Sequence, residues 1–263
     1  MFKIDIKNEN KYYNSIISFN PIIIWNKKLK EKKGLFDETK LKNLKLKNRI
    51  FKGSVIDCSL IDGHITEKGL KIYEDLAKNE IGTIFTGTAV VSDYNAYQDN
   101  PEFRIDKDEY IEEYKKLTSL VHKYNTNIMI QLIHNGMNTF STNEKIYGPS
   151  KGKLLNQDRS SVEMTKEDIL RVEDDFVKAA KRAKEAGFDG IEIHSGHLYL
   201  LSTFLTPKYN KRTDEYGGND ENRARMLVEI IEKIRKEIGN DIVLSVKLIL
   251  KMMKMVVLLN KVF

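Results

Sequence analysis

The chain has 263 residues, 41% of them hydrophobic, so it can bury a sizeable core in one large domain or two small ones. Its net charge of +6 comes from lysines scattered among acidic residues, without a basic stripe interleaved with aromatics, which argues against nucleic-acid binding. The single cysteine, Cys58, excludes an internal disulfide and metal centres built on several cysteines.

The N-terminal part, residues 1–34, is rich in lysine and asparagine, and we expect it to be a poorly ordered extension. Its apolar stretch is broken by Asn20 and Pro21 and lacks a small-residue cleavage site, so no export signal is expected. No apolar run in the sequence approaches a membrane span. These features predict a cytoplasmic protein that does not enter a membrane.

From about residue 50, short apolar runs alternate with amphipathic segments. Thr66 and Thr165 are predicted to cap the first and third helices, and Asp168 completes a capping box with Thr165. Gly187 and Gly239 are predicted to end the third and fourth helices. The apolar runs themselves predict five strands, over residues 48–56, 81–86, 127–134, 188–194 and 241–247.

This alternation of strands and helices predicts right-handed βαβ units and a parallel sheet. Ligands bind at the carboxyl ends of the strands in doubly wound sheets and in barrels alike. Because no glycine-rich phosphate-binding motif follows any strand, a barrel is favoured over a doubly wound sheet. The residues predicted at or just beyond the carboxyl ends are Gly87, Gln131, His134, His194 and Lys247.

The stretch IEIHSGHLYL places two of the five histidines, His194 and His197, three residues apart where an apolar strand ends. Taken alone, such a pair is more often structural than catalytic. A metal-dependent barrel hydrolase using His194, His197 and His134 is one alternative, although no aspartate or cysteine at ligand spacing joins the pair. A remnant without enzymatic activity is another.

The longer segment IEIHSGHLYLLSTFLTPKYNKRTDEYGGNDENRARM resembles the signature of the Old Yellow Enzyme family of FMN-dependent NAD(P)H:flavin oxidoreductases. In that family a strand ends in His-x-x-His or His-x-x-Asn, and a tyrosine, N-x-R-T-D-E-Y-G-G and E-N-R-x-R follow. LFDETKLKNLKLKNRI resembles the family's opening, IQLIHNG its third strand, and GPS with VEMTKEDI its long loop. The resemblance covers residues 35–248. It implies an FMN-binding (β/α)₈ TIM barrel, of which about five βα units are present.

The resemblance also implies roles for particular residues. His194 and His197 correspond to the pair that donates hydrogen bonds to the oxygen of a bound substrate, and Tyr199 to the proton donor. Gln131 corresponds to a residue that binds the flavin ring, and Lys247 to a basic residue that favours the reduced, anionic flavin. The whole set implied for cofactor binding is Gly53, Ser54, Val55, Ile56, Gly87, Gln131 and Lys247, and no metal ligand is implied.

The implied reaction is an ene-reduction with NAD(P)H as electron donor. FMN takes a hydride from NAD(P)H and passes it to the β-carbon of an activated alkene, such as an α,β-unsaturated carbonyl. The oligomeric state is left open. Two positions depart from the family pattern. Leu198 replaces the usual glycine before the tyrosine and is expected to crowd the turn, and Ile56 replaces a threonine or cysteine that tunes the flavin potential.

The last stretch, residues 249–263, is a basic apolar string without a βα rhythm. If each lysine of KMMKM is encoded by AAG, shifting its codons back by one base gives Asp-Asp-Glu-Asp, which suits the family's loop after the strand. We therefore hypothesise a single-base frameshift after about Leu248. The chain would then be an inactive fragment that lacks the strands next to which the family binds the FMN phosphate. A genuine apolar C-terminal helix is the alternative.

Overall fold

The computed structural model describes residues 34–56, 59–92, 102–139, 145–154 and 158–249. Residues 1–33 of the predicted extension, Cys58 and the tail from residue 250 onward lie outside these ranges. The strands are β1 (Thr39–Leu41), β2 (Leu44–Leu46), β3 (Phe51–Lys52), β4 (Leu60–Ile61), β5 (His64–Ile65), β6 (Thr83–Val90), β7 (Phe103–Arg104), β8 (Asn127–Ile133), β9 (Tyr147–Gly148), β10 (Val162–Glu163), β11 (Gly190–Ser195) and β12 (Val243–Leu248). The α-helices are α1 (Glu67–Lys78), α2 (Ile111–His122), α3 (Lys166–Glu185), α4 (Leu200–Leu205) and α5 (Asp220–Ile238).

Five of the strands form one parallel sheet in the order β3-β6-β8-β11-β12, so that each strand lies beside its predecessor in this series. The short strand β7 pairs with the end of β6. A doubly wound sheet would reverse its strand order at a switch point, whereas a (β/α) barrel adds its strands in sequence. The order therefore confirms the predicted barrel type, and the five predicted strands are present, the first four of which are followed by a helix within the described residues.

The helices begin where the capping residues predict. Thr66 accepts a hydrogen bond from the Gly69 amide at the start of α1. Thr165 and Asp168 form the predicted capping box at the start of α3. Asn219 caps α5 in the same way, which was not predicted, by accepting from the Asn222 amide. In the part of the chain that the structure describes, no helix is long and apolar enough to cross a membrane.

Two predicted strand boundaries were wrong, and both lie beside the site. The first strand, predicted over residues 48–56, pairs only at Phe51 and Lys52, and the second runs on to Val90. The register of β6 against β8 shifts between Phe85 and Thr88, which marks a β-bulge at the carboxyl half of β6. Residues 53–56 therefore leave the ladder and lie over the bulge.

Candidate active site

The carboxyl end of the sheet carries two levels of inward-facing polar residues. Gln131 on β8 lies opposite Thr88 on β6 and Glu192 on β11. Two residues further along β11, His194 lies opposite Lys247 on β12. Because side chains alternate between the two faces of a strand, these residues all face the side away from the helices. The register thus brings together the predicted residues of three separate strands.

The predicted histidine pair forms a compact cluster with the tyrosine. His194 is 2% exposed, and its Nε2 lies 3.2 Å from Nδ1 of the exposed His197. The two imidazole rings stack with their centroids 5.1 Å apart. The Tyr199 ring lies at the same centroid distance, 5.1 Å, from His194. Two nitrogens so close together can both reach a single ligand oxygen.

The turn that carries this cluster has an unusual backbone. His197 and Leu198 both have positive φ, at 53° and 62°, and lie in the left-handed region that glycine favours. The amide of Tyr199 donates to the Gly196 carbonyl at 3.1 Å, and the amide of Leu200 donates to the His134 carbonyl, also at 3.1 Å. The departure from glycine at Leu198 therefore lies where a side chain is strained.

Electrostatics keep the cluster neutral at physiological pH. Burial, reinforced by the positive charge of Lys247 and by the charge that His197 would carry when protonated, lowers the pKa of His194 to about 3. Burial and Lys247 also lower the pKa of His197. Each neutral imidazole has one N–H to donate, and the buried Nδ1 of His194 has no hydrogen-bond partner. Since an unpaired buried N–H is costly, the proton of His194 belongs on Nε2, which faces His197.

The Tyr199 hydroxyl lies in surroundings that favour its neutral form. It lies at the N-cap of α4, half-buried, and burial together with the negative charge of Glu102 raises the pKa of its hydroxyl. The phenol therefore stays protonated throughout the neutral range.

The residues predicted to bind the flavin ring lie beside this cluster. The amide oxygen of Gln131 accepts from the Ser54 hydroxyl at 3.0 Å, and its Nε2 donates to Glu192 Oε1 at 2.5 Å. Gly87 lies within the β6 bulge and not at the strand end as predicted, and a Cβ placed on it would lie 3.2 Å from the carbonyl oxygen of Val55.

The segment formed by residues 53–56 leaves space for a planar ring. A Cβ added to Gly53 would meet nothing within 4 Å. Val55 is 63% exposed and Ile56 is 43% exposed, although both follow a strand of the central sheet. An apolar surface left open beside an amide and a lysine suits an isoalloxazine ring, which is flat and apolar but carries a polar edge. The residues present therefore fit the ring of FMN.

The site contains two acidic residues that were not predicted from the sequence. Glu192 lies on β11 two residues before His194, so the two-residue strand period alone places it on the same face. Glu102 is 4% exposed and accepts from Thr88 at 2.7 Å and from Asn135 at 3.0 Å. No motif marks Glu102, because its partners come from the ends of β6 and β8.

The charged RTDEYGG motif has a structural role next to the site. Arg212 is 7% exposed and donates to the carbonyls of Pro149 and Met164 as well as to the carboxylate of Asp214. It thus fastens the long loop after β8 to the loop after α4. Gly217 packs directly on this arginine, since an added Cβ would lie 2.2 Å from the Arg212 carbonyl oxygen.

His134, considered above as a metal ligand, is 1% exposed, and its Nδ1 accepts from the Gly136 amide at 3.1 Å. Burial and the charge of Arg171 lower its pKa to about 3. Across the described ranges, no group of three or more His, Cys, Asp or Glu side chains is arranged to hold a metal ion.

The fold and the site together define a (β/α)-barrel protein with a ligand site at the carboxyl ends of its strands. Residues 34–255 match the model of the NADH:flavin oxidoreductase / NADH oxidase family. The chain belongs to this family, whose cofactor is FMN, and the resemblance seen in the sequence is thereby confirmed.

A curated relative, the NADPH dehydrogenase of Bacillus licheniformis, is 39% identical over 204 residues, which cover 77% of this chain and 60% of the relative. The Old Yellow Enzyme of Pichia sp. AKU4542 superposes with a TM-score of 0.73 at 31% identity, over 81% of this chain and 59% of that one. Morphinone reductase in complex with tetrahydroNAD gives a TM-score of 0.76 at 25% identity, over 82% and 64%. The chain thus spans about three fifths of the length of these relatives.

Proposed function

We propose that the protein is an FMN-dependent oxidoreductase that uses NAD(P)H to reduce the double bond of an α,β-unsaturated carbonyl compound. The observation that carries this proposal is the 3.2 Å contact between His194 Nε2 and His197 Nδ1, with Tyr199 beside it. A carbonyl oxygen that displaces this contact can accept from His194 Nε2–H and, once the proton of His197 lies on Nδ1, from His197 as well, which suits an oxygen on which negative charge develops. The name NADPH dehydrogenase and the tetrahydroNAD complex, found among the relatives, support a nicotinamide donor.

The polar residues of the central sheet would hold the cofactor. Gln131 offers an amide to the polar edge of the flavin ring, and residues 53–56 offer a surface to its apolar part. Lys247, on β12 and two strands away from Gln131, would place a positive charge where a reduced ring carries a negative one. When bound, FMN accepts a hydride from NAD(P)H and delivers it to the substrate.

The chain's own side chains prepare the substrate for that hydride. His194 and His197 bind the carbonyl oxygen and draw electron density away from the double bond, which makes its β-carbon electrophilic. The phenolic O–H of Tyr199 then supplies the proton to the α-carbon. Because the pKa of Tyr199 is raised, the phenol remains protonated until negative charge develops on the α-carbon.

We further propose that the described residues hold only the ring side of the FMN site. In (β/α)₈ barrels the loops after strands seven and eight commonly bind the phosphate, whereas the central sheet described here has five strands in series. On this proposal, the described residues by themselves would bind FMN weakly or not at all and would be inactive. The cytoplasmic location and the frameshift after about Leu248 stay predictions.

The experiment compares two proteins, the 263-residue chain and a version continued in the restored reading frame. Each is titrated with FMN by fluorescence quenching, then mixed anaerobically with NADPH and with cyclohexenone. The restored protein is expected to bind FMN stoichiometrically, to lose its oxidised flavin absorbance with NADPH and to regain it with the enone. The proposed reaction would be overturned if the restored protein bound FMN but its reduced flavin were not reoxidised by the enone.

A further inference from the structure

A hydrogen-bonded chain of side chains crosses the sheet just below the proposed flavin site. The Ser54 hydroxyl lies 3.0 Å from Gln131 Oε1, and Gln131 Nε2 lies 2.5 Å from Glu192 Oε1. Lys247 acts on the Glu192 carboxylate from the strand on the other side. The three hydrogen-bonded residues follow or belong to β3, β8 and β11, and Lys247 adds a positive charge from β12.

We propose that Glu192 is a positioning residue that holds the Gln131 amide in the one orientation able to recognise the flavin edge. This inference rests on the proposed function, because the ligand recognised is FMN. Glu192 itself touches neither substrate nor cofactor in this proposal, and it acts through Gln131.

The orientation follows from what each partner can do. An ionised carboxylate only accepts hydrogen bonds, so the Glu192 carboxylate must face the amide nitrogen of Gln131. The Ser54 hydroxyl donates to the amide oxygen of Gln131. The amide therefore keeps its oxygen towards Ser54 and its nitrogen towards Glu192. A flipped amide would place its oxygen against the carboxylate, where two acceptors repel each other.

This orientation presents a complementary pattern to a ligand lying above the sheet. The second N–H of Gln131 stays free to donate on the β11 side, and the second lone pair of Oε1 stays free to accept on the β3 side. An imide edge, in which a carbonyl stands next to an N–H, matches that pattern. The flavin ring carries such an edge, and most other planar apolar ligands do not.

The state of Glu192 decides whether the orientation is fixed. The carboxyl is largely buried, which raises its pKa, while the Gln131 hydrogen bond and the charge of Lys247 act against that shift. On its own strand the nearest titratable group is His194, which is neutral at pH 7. Once protonated, Glu192 could itself donate to the amide oxygen, and the flipped amide would become equally acceptable.

The test uses selective ¹⁵N labelling of glutamine side chains in the 263-residue chain, which contains three glutamines, Gln98, Gln131 and Gln157. Gln131→Met identifies the Gln131 amide signals by their loss. In the unmodified chain these signals are expected to follow one carboxyl titration whose midpoint lies above the ordinary pKa of glutamate, because burial raises the pKa of Glu192. In Glu192→Met that titration should vanish, and in the control Glu232→Met, at an exposed position of α5, it should persist.

A second measurement follows FMN binding in the restored protein. Glu192→Met is expected to raise the FMN dissociation constant about tenfold, the loss of roughly one hydrogen bond to an oriented partner, and Glu232→Met should not. The proposal would be overturned if the Gln131 signals of the unmodified chain did not change with pH. It would also be overturned if they still titrated in Glu192→Met. If the titration is present but FMN never binds, then the proposed function fails while the orienting contact stands.

Discussion

The imidazoles of His194 and His197 contact each other across 3.2 Å, with no group between Nε2 of the first and Nδ1 of the second. In the free protein one of these nitrogens must accept while the other donates. A ligand oxygen placed between them would accept from both once the proton of the accepting imidazole has moved to the nitrogen that faces the ligand. The contact therefore joins one donor and one acceptor that a ligand oxygen would separate and turn into two donors.

Removing one of these donors should weaken the binding of phenolic ligands. In the restored protein loaded with FMN, His194→Ala is expected to raise the dissociation constant of p-hydroxybenzaldehyde roughly ten- to a hundredfold, the value of one hydrogen bond to a charged oxygen. The charge-transfer band of the complex reports the titration. His122→Ala is the control, because His122 pairs with Asp189 at the opposite end of the sheet. Equal affinity in the two variants would remove His194 from the pair.

Tyr199→Phe should separate the two halves of the reaction. Reduction of the cofactor by NADPH needs no proton from the phenol and is expected to stay nearly unchanged. Alkene reduction does need that proton and is expected to slow by ~10²–10⁴-fold, the usual contribution of a general acid. Stopped-flow absorbance measures both steps in one preparation of the restored protein. A similar loss in both steps would contradict the assignment of Tyr199 as the acid.

Leu198→Gly should stabilise the protein. A leucine in the left-handed region costs about 1–2 kcal/mol, part of which is offset because glycine gains freedom in the unfolded chain. The net gain in the free energy of unfolding is expected to be about 0.5–1 kcal/mol, measured by urea denaturation. The control is the same change at Leu170, which is 43% exposed within α3 and should lose about 1 kcal/mol. A loss at both positions would show that the turn is not strained.

Much of this fold follows from local sequence, since apolar periods and capping residues act over a few positions. The caps at Thr66 and Thr165 could be predicted because each bond joins residues three apart. The shortness of β3 and the bulge in β6 could not, since both depend on how Gly87 meets the backbone of Val55, 32 positions away in sequence.

The same distinction holds for the site. His194, His197 and Tyr199 fall within one short motif, and the structure brings them together as the resemblance implies. Glu102 is different, because its two hydrogen-bond donors, Thr88 and Asn135, lie on other elements, and nothing in the sequence around Glu102 indicates that its carboxylate is buried. Residues that complete a site from a distance are found only when the sheet register is known.

Glu173 should make stability depend on pH. Its side chain is fully buried between α3 and α5, bonded to Lys233 at 2.5 Å, and burial raises its pKa from 4.5 to about 7. Since the native state then holds a proton that the unfolded state releases, this group lowers stability as pH rises from about 4.5 to about 7.

Replacing this carboxyl should remove that dependence. Glu173→Gln is expected to flatten the fall in the free energy of unfolding between pH 5 and 7.5, by on the order of 2 kcal/mol. Urea denaturation at several pH values measures it. Glu232→Gln, at an exposed position of α5, should leave the profile as it was. A profile that Glu173→Gln does not alter would place the titration on another group.

Replacing Gly136 should lower the free energy of unfolding more than is usual for a glycine in a loop. Its φ is +56°, and an added Cβ would lie 2.7 Å from the Cα of Leu200, at the start of the helix that follows Tyr199. Gly218 is the matched control, because its φ is +82° but nothing lies within 4 Å of an added Cβ. Alanine should therefore cost about 1 kcal/mol at Gly218, from the backbone alone, and about 2–3 kcal/mol at Gly136, from backbone and clash together.

The difference between the two glycines should extend to function. The Cβ at position 136 can be accommodated only if the Tyr199–Leu200 backbone moves, and that backbone carries the proposed acid. Gly136→Ala in the restored protein is therefore expected to slow alkene reduction at least tenfold while cofactor reduction by NADPH changes little, since a small displacement of an acid is costly. Gly218→Ala should slow neither step. If both variants lose the same stability and keep the same rates, then the loop after β8 does not position the Tyr199 turn.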